Sequence, residues 1–146
     1  MFIGSIKDVE ISKLTMMLDA NIVPLVFFSK YFMKKVEKAD RKRRYALINI
    51  SSCAGCGPIC NNGVYAATKG FVTGLMEGVE FENKLRNLDL MTLCPSNVST
   101  SMLDGTKPNA LMQHLGTINA TQCVQGCLKK LGGSYSITGG HIKHEL

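Results

Sequence analysis

The stretch YALINISSCAGCGPICNNGVYAATKGFV, Tyr45 to Val72, decides the fold. It opens on Tyr45–Ser51, a short and nearly unbroken apolar run. Such a run predicts a strand buried on both faces, as parallel sheets require. Gly, Pro and Asn then crowd the segment from Ser52 to Gly63, which is the composition of a loop. Beyond it, Val64, Ala67, Phe71, Val72, Leu75, Met76 and Val79 recur at the spacing of one helix face. Strand, loop and helix follow one another directly.

The same alternation extends outward. LDLMTLCP, Leu88 to Pro95, predicts a second buried strand closed by Pro95. A third helix is expected from about Thr121 to Leu131, ended by Gly132 and Gly133. SITGGHIKHEL at the end of the chain can begin another strand. Upstream, Leu14, Met17, Leu18, Ile22, Leu25, Val26, Phe28 and Phe32 approximate a helical period between Ile11 and Val36. Pro24 lies inside that helix, removes one backbone donor and should kink it near Asn21. Strands alternating with helices imply a parallel α/β sheet. Such sheets bind ligands at the carboxyl ends of their strands. The residues just after Ile50 and Leu93 are therefore where chemistry is expected.

Composition narrows the function classes. The chain has 146 residues, 45% apolar and 19% charged, which suits one globular domain or a large piece of one. No run of about eighteen consecutive apolar residues occurs, so no membrane span is expected. The N-terminus shows no secretory pattern. The six cysteines should then be reduced thiols. Cys53 and Cys56 form a CxxC beside Cys60, but zinc needs further ligands and none lies near, so no metal site is expected. The net charge is +6, and much of it lies in KKVEKADRKRR, Lys34 to Arg44. Only Tyr45 flanks those charges, so a solvated turn is expected there and not a nucleic-acid surface. The terminal KHEL is similar to a retention signal for the endoplasmic reticulum.

Tyr65 and Lys69 are four apart and share a helix face. Ser52 precedes Tyr65 by thirteen positions, across a loop that can return its hydroxyl to the phenol. The pair alone means little, because Tyr31 and Lys35 have the same spacing. That second pair follows no strand and loop, and Leu18 stands thirteen positions before it. A phenol titrates near pH ~10, and a nearby ammonium favours its ionised form. A phenol so tuned can pass a proton to or from a carbonyl oxygen. The structural alternative makes Tyr65 a core residue and Lys69 a solvated charge.

The segments LINISSCAG, VYAATKGFV and LCPSNVSTSM resemble the short-chain dehydrogenase/reductase family. Their wording is closest to its 17β-hydroxysteroid dehydrogenase and very-long-chain 3-oxoacyl-CoA reductase branch. LDANIVPL, KPNALMQHLGTINATQCVQGCLKKLGG and TGGHIKHEL extend the likeness from about residue 10 onward. KHEL then matches the interior of the family's last segment. The resemblance implies an α/β fold: the C-terminal part of a Rossmann-like, doubly wound parallel sheet with flanking helices, its first half missing. Residues 1–146 would form a partial domain, the catalytic half. No Gly-x-x-x-Gly-x-Gly turn, which the family uses to hold the cofactor pyrophosphate, occurs in the sequence.

The resemblance also implies roles. Tyr65 would be the general acid/base, and Lys69 would tune it and bind the nicotinamide ribose. Ser52 would hydrogen-bond the substrate oxygen, and Asn21 would hold a water of the proton relay. Pro95, Val98 and Thr100 match the segment that contacts the nicotinamide, with Ser96 where the family usually has Gly. The cofactor would be NADP(H) in preference to NAD(H). The expected function is oxidoreduction between a ketone and a secondary alcohol on an apolar, fatty-acyl or steroid-like substrate. The alternative is a non-catalytic truncated homologue that dimerises or binds a partner through helices 11–36 and 64–85. The location implied is the cytosolic face of the endoplasmic reticulum, or the cytoplasm if no membrane anchor exists.

Overall fold

The computed structural model describes residues 3–100, 116–133 and 137–140. Helices α1 (Ile11–Asn21) and α2 (Val23–Glu37) lead into strand β1 (Tyr45–Ile50). A 3-10 turn (Cys53–Cys56), helix α3 (Gly63–Glu82) and strand β2 (Leu88–Leu93) follow. The short strands β3 (Asn97–Ser99) and β4 (Thr117–Asn119), helix α4 (Ala120–Lys130) and strand β5 (Ile137–Thr138) complete the described order. The terminal KHEL and the segment around LMQHL lie outside the described residues.

The main sheet is parallel, in the order β1-β2-β5. Tyr45 pairs with Leu88 and Ile50 with Leu93 at the two ends of the first ladder. Thr92 and Leu93 pair with Ile137 and Thr138 in the second. Alternate residues of a strand face opposite sides of its sheet, and β2 shows this directly. Leu88 and Leu90 join Val36 and Met76, under α2 and α3. Met91 and Leu93 join Ile118, Cys123 and Cys127, under β4 and α4. Helices therefore cover both faces, and the fold is the C-terminal part of a Rossmann-like doubly wound sheet.

Several expectations change in detail. β1 is not buried on both faces: its Ala46 and Ile50 are exposed, whereas β2 is buried almost throughout. β1 pairs along one side only among the described residues. The long N-terminal helix is broken at Ile22, and Pro24 sits in the first turn of α2, where a missing donor costs nothing. The helix expected over 64–85 stops at Glu82, because Asn83 turns extended and its side chain accepts from the Leu85 amide at 3.0 Å. α4 starts at Ala120, one residue before the expected Thr121. There Asn119 and Gln122 form a capping box.

The N-terminal helices carry more apolar character than their unbroken runs suggest. By length and composition alone, Ile11–Glu37 passes for a membrane-crossing helix, with mean hydropathy 1.4 over its most apolar window. Its inner side is nevertheless tied into this domain. Met17, Ser29 and Val36 are buried, and the Asn49 amide donates to the Ser29 hydroxyl at 3.3 Å.

Candidate active site

The carboxyl ends of β1 and β2 run side by side into the site. The Ser51 amide donates to the Leu93 carbonyl at 2.8 Å, and the Cys53 amide to the Pro95 carbonyl at 3.0 Å. The two serines between them divide their work. Ser51 is buried, and its hydroxyl donates to the Lys69 carbonyl at 2.7 Å. Ser52 caps the 3-10 turn by accepting from the Ala54 amide at 3.1 Å. A side-chain hydrogen bond also joins Ser52 to the phenol of Tyr65. The thirteen-residue return is thus made, with Ser52 and not Ser51.

Helix α3 presents Tyr65 and Lys69 on adjacent turns. The Lys69 ammonium lies 5.8 Å from the centre of the Tyr65 ring and donates to the Ile50 carbonyl at 3.0 Å. Between them, Thr68 is fully buried and donates to the Tyr65 carbonyl at 2.8 Å. Asn21, at the end of α1, donates its side-chain amide to that Thr68 hydroxyl at 3.0 Å. Asn21 therefore reaches the site from behind, through Thr68, and does not line the cavity.

A cavity of about 320 Å³ opens in front of these groups. Ser52, Tyr65 and Lys69 line one part of it, and Pro95, Val98 and Thr100 another. Leu93, Ala120, Cys123 and Val124 add an apolar wall from β2 and α4. Every candidate residue except Asn21 is at this cavity. The decoy Tyr31 lies on α2 and is 65% exposed.

Burial shapes the electrostatics. It pushes the Tyr65 phenol above its ordinary value, against the opposing hydrogen bond from Ser52, and Cys53 adds to the rise. Burial pushes the Lys69 ammonium below its ordinary value, with Cys94 acting the other way. The net direction for Tyr65 is opposite to the lowering expected from a neighbouring lysine, because desolvation outweighs the hydrogen bond from Ser52. Cys53 and Cys94 are buried behind the site, and Cys56 is exposed beside it. Among the described residues no group of three or more His, Cys, Asp or Glu converges on a metal position.

Sequence reading missed three supporting residues. Gly55 packs its backbone on Lys69 and Gly70 so closely that a Cβ there would stand 2.7 Å from the Lys69 carbonyl carbon. Thr68 and Thr73 supply hydroxyls on the buried side of α3. Both fall within the helical stretch, but a hydroxyl at an inward helix position carries no motif.

A family model described as short chain dehydrogenase matches residues 3–110. Over 143 residues the chain is 30% identical to a 7beta-hydroxysteroid dehydrogenase of Mediterraneibacter gnavus, covering 94% of this chain and 52% of that protein. Over 107 residues it is 27% identical to very-long-chain 3-oxoacyl-CoA reductase-A of Danio rerio, covering 73% of this chain and 32% of that one. A solved 7beta-hydroxysteroid dehydrogenase structure superimposes with a TM-score of 0.75 at 26% identity, covering 92% of this chain and 52% of that one. The chain thus spans about half the length of the curated relatives it matches. Other structures of the same fold hold NADP or NADH.

Proposed function

Since the chain belongs to the short-chain dehydrogenase family, we propose that residues 1–146 are the catalytic half of a nicotinamide-dependent oxidoreductase. The reaction would interconvert a ketone and a secondary alcohol on an apolar, fatty-acyl or steroid-like substrate. One observation carries this reading: Ser52, Tyr65 and Lys69 meet at one part of a cavity whose other wall is apolar. A phenol, a hydroxyl and an ammonium are the groups that a carbonyl oxygen needs, and an apolar wall suits a hydrocarbon body.

The cavity fits the reactive end of a nicotinamide cofactor. Its volume of about 320 Å³ is of the order of a small-ligand pocket. Lys69 would hold the ribose, and Pro95, Val98 and Thr100 would face the ring. When bound, the nicotinamide supplies or accepts the hydride. The chain does the rest. Tyr65 gives its phenolic proton to the carbonyl oxygen in reduction and takes it back in oxidation. Ser52 donates to the same oxygen and stabilises the charge that develops there. Lys69 stabilises the phenolate left on Tyr65. Asn21 and Thr68 hold the Tyr65 turn from behind. NADP(H) in preference to NAD(H) is part of this proposal, as is the cytosolic face of the endoplasmic reticulum, where apolar substrates partition.

The test joins this chain to the nucleotide-binding half of a full-length relative and follows NADPH oxidation with steroid and 3-oxoacyl ketones. Turnover that depends on Tyr65 supports the reading. No turnover with either ketone class, in a fusion shown to bind NADPH, would overturn it.

A second reading has its own support. Phe27, Phe28 and Tyr31 are 68%, 71% and 65% exposed on α2, and Phe81 on α3 is 92% exposed. Such apolar groups on 11–36 and 64–85 suit a homodimer through these helices, with or without catalysis. Sedimentation of the chain and of a Phe27→Glu/Phe28→Glu variant distinguishes the two states: a dimer should become a monomer.

A further inference from the structure

Lys69 is held at three points. Its ammonium donates to the Ile50 carbonyl at 3.0 Å. Its own carbonyl accepts from the Ser51 hydroxyl at 2.7 Å and from the Thr73 hydroxyl at 3.3 Å. The Thr73 hydroxyl also lies 3.1 Å from that of Ser51, so the two side chains share one small network. The amide of Ser51 meanwhile continues the β1–β2 ladder onto Leu93. One residue thus belongs to the sheet through its backbone and to the helix through its side chain.

We propose that Ser51 and Thr73 are a positioning pair, which fixes the Tyr65–Lys69 turn of α3 against the carboxyl end of β1. Ser51 borders the cavity but commits its hydroxyl to the Lys69 carbonyl, and Thr73 does not line the cavity, so their effect passes through Lys69. The mechanism is mechanical. Helices slide on sheets unless something pins them, because apolar contacts are not directional. A hydrogen bond between two buried groups is directional, and leaving one unmade costs free energy. Ser51 is 3% exposed, so its hydroxyl cannot exchange the Lys69 carbonyl for bulk water. Thr73 has a second local role, since its hydroxyl also lies 3.9 Å from the thiol of Cys94, the residue that follows β2. The pair therefore gathers three elements onto the turn that carries the site.

This inference rests on the oxidoreductase reading for its meaning, but its test does not need turnover. The observable is the pH profile of Lys69 acetylation by acetic anhydride, read peptide by peptide in the mass spectrometer. Exposed Lys34 and Lys84 serve as internal references. The titratable groups that bear on Lys69 are Tyr65 on its own helix and Cys94 just past β2. In the parent chain, burial should place the Lys69 midpoint below those of the reference lysines. In Ser51→Ala and in Thr73→Val, a loosened turn admits water and the midpoint should rise towards the references by about half a pH unit or more, roughly threefold in the proton equilibrium. Thr73→Ser keeps the hydroxyl and should match the parent.

An unchanged Lys69 midpoint in both hydroxyl-deleting variants would overturn the proposal. So would Thr73→Ser moving it as far as Thr73→Val. If Ser51→Ala fails to give a cooperative melt, Thr73→Val against Thr73→Ser decides alone, since the first keeps the side-chain shape and removes the hydroxyl, whereas the second keeps the hydroxyl and removes a methyl. A joined enzyme that reduces no ketone would sink the functional reading while leaving the Lys69 profile as expected. The two failures are therefore distinguishable.

Discussion

The Lys69 ammonium lies 5.8 Å from the centre of the Tyr65 ring, one helical turn along α3. Both groups are partly buried, and burial moves them in opposite directions: the phenol up from 10.0 and the ammonium down from 10.5. The ordinary values differ by half a unit, and the two shifts act on that gap from both sides.

Burial sets the first prediction. In the cofactor-free chain, the tyrosinate absorbance lost on Tyr65→Phe should titrate above pH ~10. Lys69→Met should raise this midpoint further, because it removes a positive charge 5.8 Å from the ring. An unchanged midpoint would mean that the ammonium does not act on the phenolate.

Catalysis should separate the two similar tyrosines. In a chain joined to a nucleotide-binding half, Tyr65→Phe should lower kcat by about 10²–10⁴-fold, the usual range for a lost general acid. Tyr31→Phe should leave it within about twofold, since Tyr31 projects from α2 with 65% exposure. Steady-state kinetics on both variants measures this. Equal losses would move the site away from the cavity beside Ser52.

Backbone contact makes Gly55 the most sensitive glycine of the loop. A Cβ at Gly55 would meet the Lys69 carbonyl carbon at 2.7 Å, the Gly70 nitrogen at 2.8 Å and the Lys69 oxygen at 2.9 Å, all main-chain atoms. Gly55→Ala should destabilise the fold by about 1–3 kcal/mol and push Ser52 away from Tyr65. Gly57→Ala is the control, because nothing lies within 4 Å of its added carbon. Denaturant melts of the pair test the contrast, and equal stabilities would mean that the loop yields without cost.

Cofactor affinity should be poor for the chain alone. The sequence has no Gly-x-x-x-Gly-x-Gly turn to receive a pyrophosphate at a helix N-terminus. Isothermal titration with NADPH should give a Kd weaker than about 1 mM. A micromolar value would require a phosphate site made by other residues.

Much of this site could be read from residue order, and the unread part has physical causes. Tyr65 and Lys69 declare themselves because a helix brings every fourth residue onto one face. Ser51 and Ser52 do not, since two adjacent serines look alike until their partners separate them: Ser51 bonds the Lys69 carbonyl and Ser52 caps the 3-10 turn. Asn21 was placed near the site, but its contact with Thr68 depends on how α1 packs on α3. The β3–β4 pairing was missed because each strand is three residues long, too short for any periodicity to register. Burial of β1 was overstated, because an apolar run reports what a strand can bury and not which neighbour covers it.

The sheet order β1-β2-β5 places each strand beside the one made just before it in that sheet. During vectorial synthesis, each of these strands can therefore join an edge that already exists. No strand has to be inserted between two earlier ones, so no paired ladder must reopen as the chain lengthens. Among the described strands, growth proceeds outward from β1 in one direction. A sheet that grows this way is divisible at β1, since a chain cut there leaves the later strands with all of their own pairings.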